Sequence, residues 1–274
     1  MAELTLRRAG QMAYREALPD EPAGLAPVLC VHGFPQSSYV WRHLLPALAE
    51  SGRRAVAPDL RGFGDSAPDP PGTWERHTEA LEWFRQEVGL DRFVLVVHDW
   101  GGLIGLRWAC DHPGAAVALV ISNTGFFPDS EWHDLGKALR TKGQGETLID
   151  SVSREGLGAL LGTLGSRFDD EAVSEYWEAF TTEDGRRGML ELFRSGDFSK
   201  LEPYRGRLAA LGVPALIIWG DNEEYTPAEG AHNFAEQLPD ARLVFIDDAG
   251  HFVFEDEPER CVREVLDFLD QARV

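Results

Sequence analysis

Asp99 stands inside V-V-H-D-W-G-G, residues 96–102, between an apolar run ending at His98 and a stretch of helical spacing opening at Trp100. A carboxylate at such a strand-to-helix turn can serve as a covalent nucleophile. Small residues around it permit a strained backbone that lifts the side chain clear of the sheet. The usual pattern at this turn is G-x-S-x-G. Here Val97 through Gly101 place aspartate in the nucleophile slot, which excludes serine acyl transfer at this position. The plain alternative is an aspartate that only caps the following helix.

An ester on Asp99 needs a base to activate water, and D-A-G-H-F (248–252) presents His251 in a loop after the last predicted strand. Of eight histidines, His251 has the right chain order. His43, His77, His112, His133 and His232 fall in or beside predicted helices and read as solvated surface. His98 reads as a packing residue, and His32 as a residue that fixes its loop. A carboxylate must hold the imidazole tautomer. After A-V-A-L-V-I-S-N the available residue is Asn123, which carries no charge. The loop after V-P-A-L-I-I-W-G offers Asp221, Glu223 and Glu224. Glu223, three residues past Gly220, is favoured as the triad acid. H-G-F-P (32–35) follows an apolar strand, where a loop can supply half of an oxyanion hole. The backbone N–H groups of Phe34 and Trp100 are the expected donors.

These groups require a rigid frame. L-T-L-R-R-A and M-A-Y-R-E-A open the chain as alternating segments. Strands then alternate with helices: P-V-L-C-V, S-S-Y-V-W-R-H-L-L-P-A-L-A-E-S, R-R-A-V-A-P-D, W-E-R-H-T-E-A-L-E-W-F-R-Q-E-V-G, R-F-V-L-V-V-H-D, W-G-G-L-I-G-L-R-W-A-C-D-H-P and A-V-A-L-V-I-S-N. Continuous apolar strands alternating with helices predict an α/β fold with a mostly parallel sheet covered on both faces. From Thr124 to Arg205 the strand rhythm stops and helical spacing takes over, too long for a loop. It resumes with V-P-A-L-I-I-W-G-D, A-E-G-A-H-N-F-A-E-Q-L, A-R-L-V-F-I-D and P-E-R-C-V-R-E-V-L-D-F-L-D-Q. The expected domains are a core of residues 1–124 and 206–274 and a helical cap of residues 125–205.

Composition narrows the partners. Lys and Arg total 26 against 46 for Asp and Glu, and a formal charge of −20 repels nucleic acid and anionic lipid. No apolar run is long enough to span a bilayer, and the first residues lack the apolar stretch of a secretory signal. The chain reads as cytoplasmic. Cys30, Cys110 and Cys261 are scattered, without C-x-x-C spacing, and read as buried thiols. No metal cluster, phosphate loop or dinucleotide fingerprint appears, so neither metal nor cofactor is expected. Oligomeric state is not legible.

H-G-F-P-Q-S-S-Y-V-W-R, D-L-R-G-F-G-D-S, V-H-D-W-G-G, W-G-D-N-E-E and A-G-H-F together resemble the haloalkane dehalogenase and epoxide hydrolase branch of the α/β-hydrolase superfamily. The resemblance covers essentially the whole core. It implies an α/β-hydrolase fold with an inserted helical cap. It also implies attack by Asp99 on an sp³ carbon, then ester cleavage by water activated by His251. Epoxide hydrolases resembling this chain use cap tyrosines as proton donors, one within a G-x-L-x-x-Y-R stretch. Phe193 takes that place in G-M-L-E-L-F-R, and Tyr176 and Tyr204 read as packing residues. A halide needs N–H donors instead. The resemblance implies Trp100 and an early cap tryptophan, Trp132, with Trp177 behind it. Phe34 stands where one dehalogenase group has asparagine.

The favoured reading is a haloalkane dehalogenase acting on a small apolar substrate with water, its pocket lined by Phe34, Trp100, Phe126, Phe127 and Phe193. An epoxide hydrolase with the same triad is the alternative. A non-catalytic ligand-binding member of the fold is a third.

Overall fold

The computed structural model describes residues 2–163 and 168–274. Eight strands form one sheet: β1 (Leu4–Ala9), β2 (Met12–Ala17), β3 (Val28–Val31), β4 (Ala55–Pro58), β5 (Phe93–His98), β6 (Ala116–Ser122), β7 (Ala215–Gly220) and β8 (Ala241–Ile246). Their order is β1-β2-β4-β3-β5-β6-β7-β8. β1 and β2 pair antiparallel, β2 joins β4 antiparallel, and every pairing from β4 to β8 is parallel. β3, β5 and β7 are buried along their whole length. This is why their sequences are continuously apolar rather than alternating.

α1 (Leu44–Glu50), α2 (Trp74–Glu87) and α3 (Trp100–Asp111) carry the crossovers from β3 to β6. The single helix expected over S-S-Y-V-W-R-H-L-L-P-A-L-A-E-S is instead a 3₁₀ turn, Ser38–Trp41, followed by α1. Pro46 lacks an N–H and is tolerated only in a first turn, so the α-helix starts just before it.

Between β6 and β7 the described chain holds no strand. It runs through α4 (Asp134–Arg140), α5 (Gln144–Ser151), α6 (Arg154–Thr163), α7 (Asp170–Trp177) and α8 (Glu183–Ser195). α9 (Ala228–Gln237) links β7 to β8, and a single turn, α10 (Val253–Asp256), precedes α11 (Pro258–Ala272). Charged groups tie α7 to the rest of the fold. Arg42 grips Glu255 with two hydrogen bonds of 2.8 and 2.9 Å, Tyr176 on α7 donates its O–H to Glu255, and Arg15 pairs with Glu175 at 2.8 Å.

His77 departs from the surface reading. It lies on the inward face of α2, is 2% exposed, and faces the Phe63 ring at 6.2 Å. Burial pushes its pKa down to about 3, so the ring is neutral.

Candidate active site

Asp99 follows β5 with φ +49° and ψ −123°, a strained backbone for a non-glycine residue. Its side chain makes no capping bond to α3. Two glycines permit the turn. A Cβ on Gly101 would sit 2.1 Å from the Val31 carbonyl oxygen, and one on Gly33 would sit 2.3 Å from Asp99 Oδ1. Thr124 supports the turn from below, donating its hydroxyl to the Asp99 carbonyl at 2.6 Å.

The Phe34 N–H donates to Asp99 Oδ1 at 2.6 Å, and the Trp100 N–H also faces the carboxylate. Asp99 Oδ2 lies 3.5 Å from His251 Nε2. His251 Nδ1 in turn bonds Glu223 Oε2 at 2.8 Å. The other Glu223 oxygen accepts the N–H groups of Tyr225 at 2.6 Å and Thr226 at 3.1 Å. Asn123, which follows β6, donates its side-chain amide to Glu223. Sequence reasoning set Asn123 aside as uncharged, and its place in this network is a finding of the structure. Glu224 and Asp221 take no part in it.

The charges follow from this packing. Burial works to raise the Glu223 carboxyl, but the facing His251 and the amide donors hold it down to about 2. Burial works to lower His251, and the carboxylates of Glu223 and Asp99 outweigh it, raising the ring to about 10. Asp99 sits below its ordinary value because His251 overcomes the cost of burial. His98, buried with its ring 5.0 Å from His251, is held neutral by burial, its pKa near 3. His32 fixes its loop: Nε2 accepts the Leu60 N–H at 2.9 Å, and Nδ1–H donates to the Gly33 carbonyl at 2.8 Å.

Two cavities meet at Asp99. One, about 260 Å³, is apolar and is lined by Phe34, Leu139, Ile149, Phe180, Phe193 and Phe252 around Asp99 and His251. The other, about 610 Å³, is more polar and includes Trp100, Phe127, Trp132, Phe198 and Asn233. His133 and Tyr225 line both. The surface reading of His133 is therefore corrected: the turn before α4 folds its ring inward.

Other candidates lie elsewhere. Trp177 stacks on Phe180 at 5.5 Å and Phe126 packs on Tyr204, and neither lines these two cavities. Trp132 stacks on Trp100 at 5.4 Å, but its indole N–H goes to the Gly196 carbonyl at 3.3 Å. The Tyr176 hydroxyl is turned to Glu255 and that of Tyr204 to Asp111. No group of His, Cys, Asp and Glu among the described residues is arranged to hold a metal.

A family model described as the alpha/beta hydrolase fold matches residues 26–146 and 155–258. The chain belongs to the α/β-hydrolase family. Within it, a haloalkane dehalogenase of Sphingobium indicum is 31% identical over 94% of this chain and 93% of its own length. Bifunctional epoxide hydrolase 2 of Sus scrofa is 25% identical over 90% of this chain but only 52% of its own. The crystal structure of a loop variant of a haloalkane dehalogenase from Bradyrhizobium elkanii matches with a TM-score of 0.83 and 26% identity. It covers 100% of this chain and 98% of that one. This α/β-hydrolase is thus similar, over nearly its full length, to enzymes of both names.

Proposed function

We propose that this α/β-hydrolase cleaves the carbon–halogen bond of small haloalkanes through an ester on Asp99, giving alcohol and halide. One observation carries the reading: a half-buried carboxylate, held at one oxygen by the Phe34 amide and facing His251 at the other, opens onto an apolar cavity. Residues 125–205 act as the cap that closes it.

In this reading Asp99 Oδ2 attacks the carbon bearing the halogen, and the bond's electron pair leaves with the halide. Water then attacks the Asp99 carbonyl carbon, and His251 takes its proton. Oδ1, already bonded to the Phe34 amide with the Trp100 amide also facing the carboxylate, becomes the oxyanion. Its collapse restores the carbonyl and breaks the ester bond, and the departing alcohol oxygen takes the proton from His251. Esterification removes the Asp99 charge that helps to keep His251 protonated, so the ring loses its Nε2 proton to solvent and is then free to act as a base at this step. Glu223 holds the tautomer and stabilises the imidazolium. Substrate and water are the only partners required, and no cofactor enters. The compartment we assign is the cytoplasm, supported by three free, buried cysteines.

Halide is favoured over epoxide because the cap tyrosines are committed away from the cavity and Phe193 lines it. The Trp100 indole N–H, by contrast, has no hydrogen-bond partner among the described residues. Epoxide opening remains the second reading because the Tyr225 phenol lines both cavities, its ring 5.2 Å from His251.

Wild type, Trp100→Phe and Phe193→Tyr, assayed on a short 1-bromoalkane and a terminal epoxide of similar size, separate the two. The dehalogenase reading requires wild type to prefer the bromide and Trp100→Phe to lose that activity. Faster turnover of the epoxide, with no halide released from any bromide, overturns it.

A further inference from the structure

A departing halide needs N–H donors in a site that brings no bulk water with them. Of the two indoles expected to supply them, Trp132 is already committed to the Gly196 carbonyl. The next residue, His133, sits differently. It lines both cavities that reach Asp99, and its ring meets Tyr225 edge-on at 4.8 Å.

The tautomer of His133 is fixed locally. As N-cap of α4, its Nδ1 accepts the Gly136 N–H at 3.2 Å, so the proton of the neutral ring resides on Nε2. Burial lowers its pKa against the pull of Asp99, which keeps the ring uncharged at neutral pH. Nε2–H has no hydrogen-bond partner among the described residues. A helix cap thus fixes a neutral N–H donor on a ring that lines both cavities at Asp99.

We propose that His133 is the second halide donor, its Nε2–H acting with the Trp100 indole N–H on the departing halogen. The inference rests on the dehalogenase reading and adds to it a residue that the sequence placed on the surface. As Asp99 bonds to carbon, the carbon–halogen electron pair leaves with the halogen, and the halide accepts the Nε2–H hydrogen bond. No proton is transferred, so His133 ends the step in the protonation state in which it began.

The cap role and the donor role can be separated. His133→Ser retains an N-cap acceptor but removes the imidazole N–H, whereas His133→Asn retains both an acceptor and an N–H donor. Single-turnover halide release is measured for both variants, for Tyr225→Phe and for wild type, on 1-chloro-, 1-bromo- and 1-iodobutane. Chloride concentrates charge most and iodide least. His133→Ser is expected to slow chloride release by on the order of 10²-fold, as for loss of a comparable charge-stabilising donor. Bromide should suffer less and iodide least, with partial recovery in His133→Asn and unchanged hydrolysis of ester already formed.

An equal loss for all three halides, or no loss, overturns the assignment, since a purely structural defect ignores the leaving group. A halide-dependent loss in Tyr225→Phe and not in His133→Ser also overturns it. Wild type that releases no halide from any of the three overturns the dehalogenase reading together with this inference. Wild-type release beside a level His133→Ser series overturns the inference alone.

Discussion

The Phe34 backbone N–H donates to Asp99 Oδ1 at 2.6 Å, so this amide grips the carboxylate in the resting protein. The two carboxylate oxygens are thereby distinguished in the resting protein. Oδ2 is left toward His251.

That contact depends on Gly33, where a Cβ would stand 2.3 Å from Asp99 Oδ1. Gly33→Ala should lower turnover by on the order of 10²–10³-fold while the fold persists, because the amide and carboxylate can no longer meet. Halide release measured beside a circular-dichroism melt checks both halves. Near-normal turnover would mean that the contact is dispensable.

Glu223→Gln should reduce kcat by roughly 10⁴, the cost of losing the orienting carboxylate in a comparable serine triad. Glu224→Gln should stay near wild type, since only Glu223 meets His251 Nδ1, at 2.8 Å. A damaging Glu224→Gln with a mild Glu223→Gln would reassign the acid.

His251→Phe should stop the reaction after the first step. Intact-mass spectrometry should then find the substrate's alkyl mass on the peptide holding Asp99. An inactive, unmodified variant would place His251 before the alkylation step.

Stability should follow the His251–Glu223 pair across pH. The folded pKa of His251, about 10, lies above its ordinary 6.5, so its contribution is whole below pH 6.5 and fades toward pH 10. For Glu223 the folded value, about 2, lies below 4.5, so its contribution is whole above pH 4.5 and fades toward pH 2. The melting temperature should be greatest between these limits, and His251→Phe should flatten the alkaline decline. An alkaline limb unaltered by His251→Phe would contradict the pairing.

The parts of this site that were legible in sequence are those set by local geometry. An apolar strand followed by D-W-G-G specifies a turn, and the observed φ of Asp99 is that turn. Chain order brings the loops after β7 and β8 together, because these strands are parallel neighbours that end on the same side, and the position three residues past Gly220 pointed to Glu223 among the three acids there. What depended on a rotation within a loop was not legible. Trp132 and His133 are adjacent, and only the turn into α4 decides that Trp132 lines one cavity and His133 both. His77 was misread because helical spacing gives a face, whereas the loop carrying Phe63 that covers it is irregular. Helices α5 and α6 were not anticipated individually: they are short and glycine-bearing, and their apolar face is defined by the cavity they cover.

The most direct test of Asp99 as nucleophile is the fate of oxygen in one turnover. Excess enzyme is mixed with a short 1-bromoalkane in H₂¹⁸O, and alcohol and enzyme are both analysed by mass spectrometry. If water attacks the Asp99 carbonyl carbon, the first alcohol carries an unlabelled oxygen from Asp99, and the peptide holding Asp99 gains ¹⁸O. Labelled alcohol with an unlabelled Asp99 peptide would mean that water attacks the substrate directly, contradicting the ester mechanism.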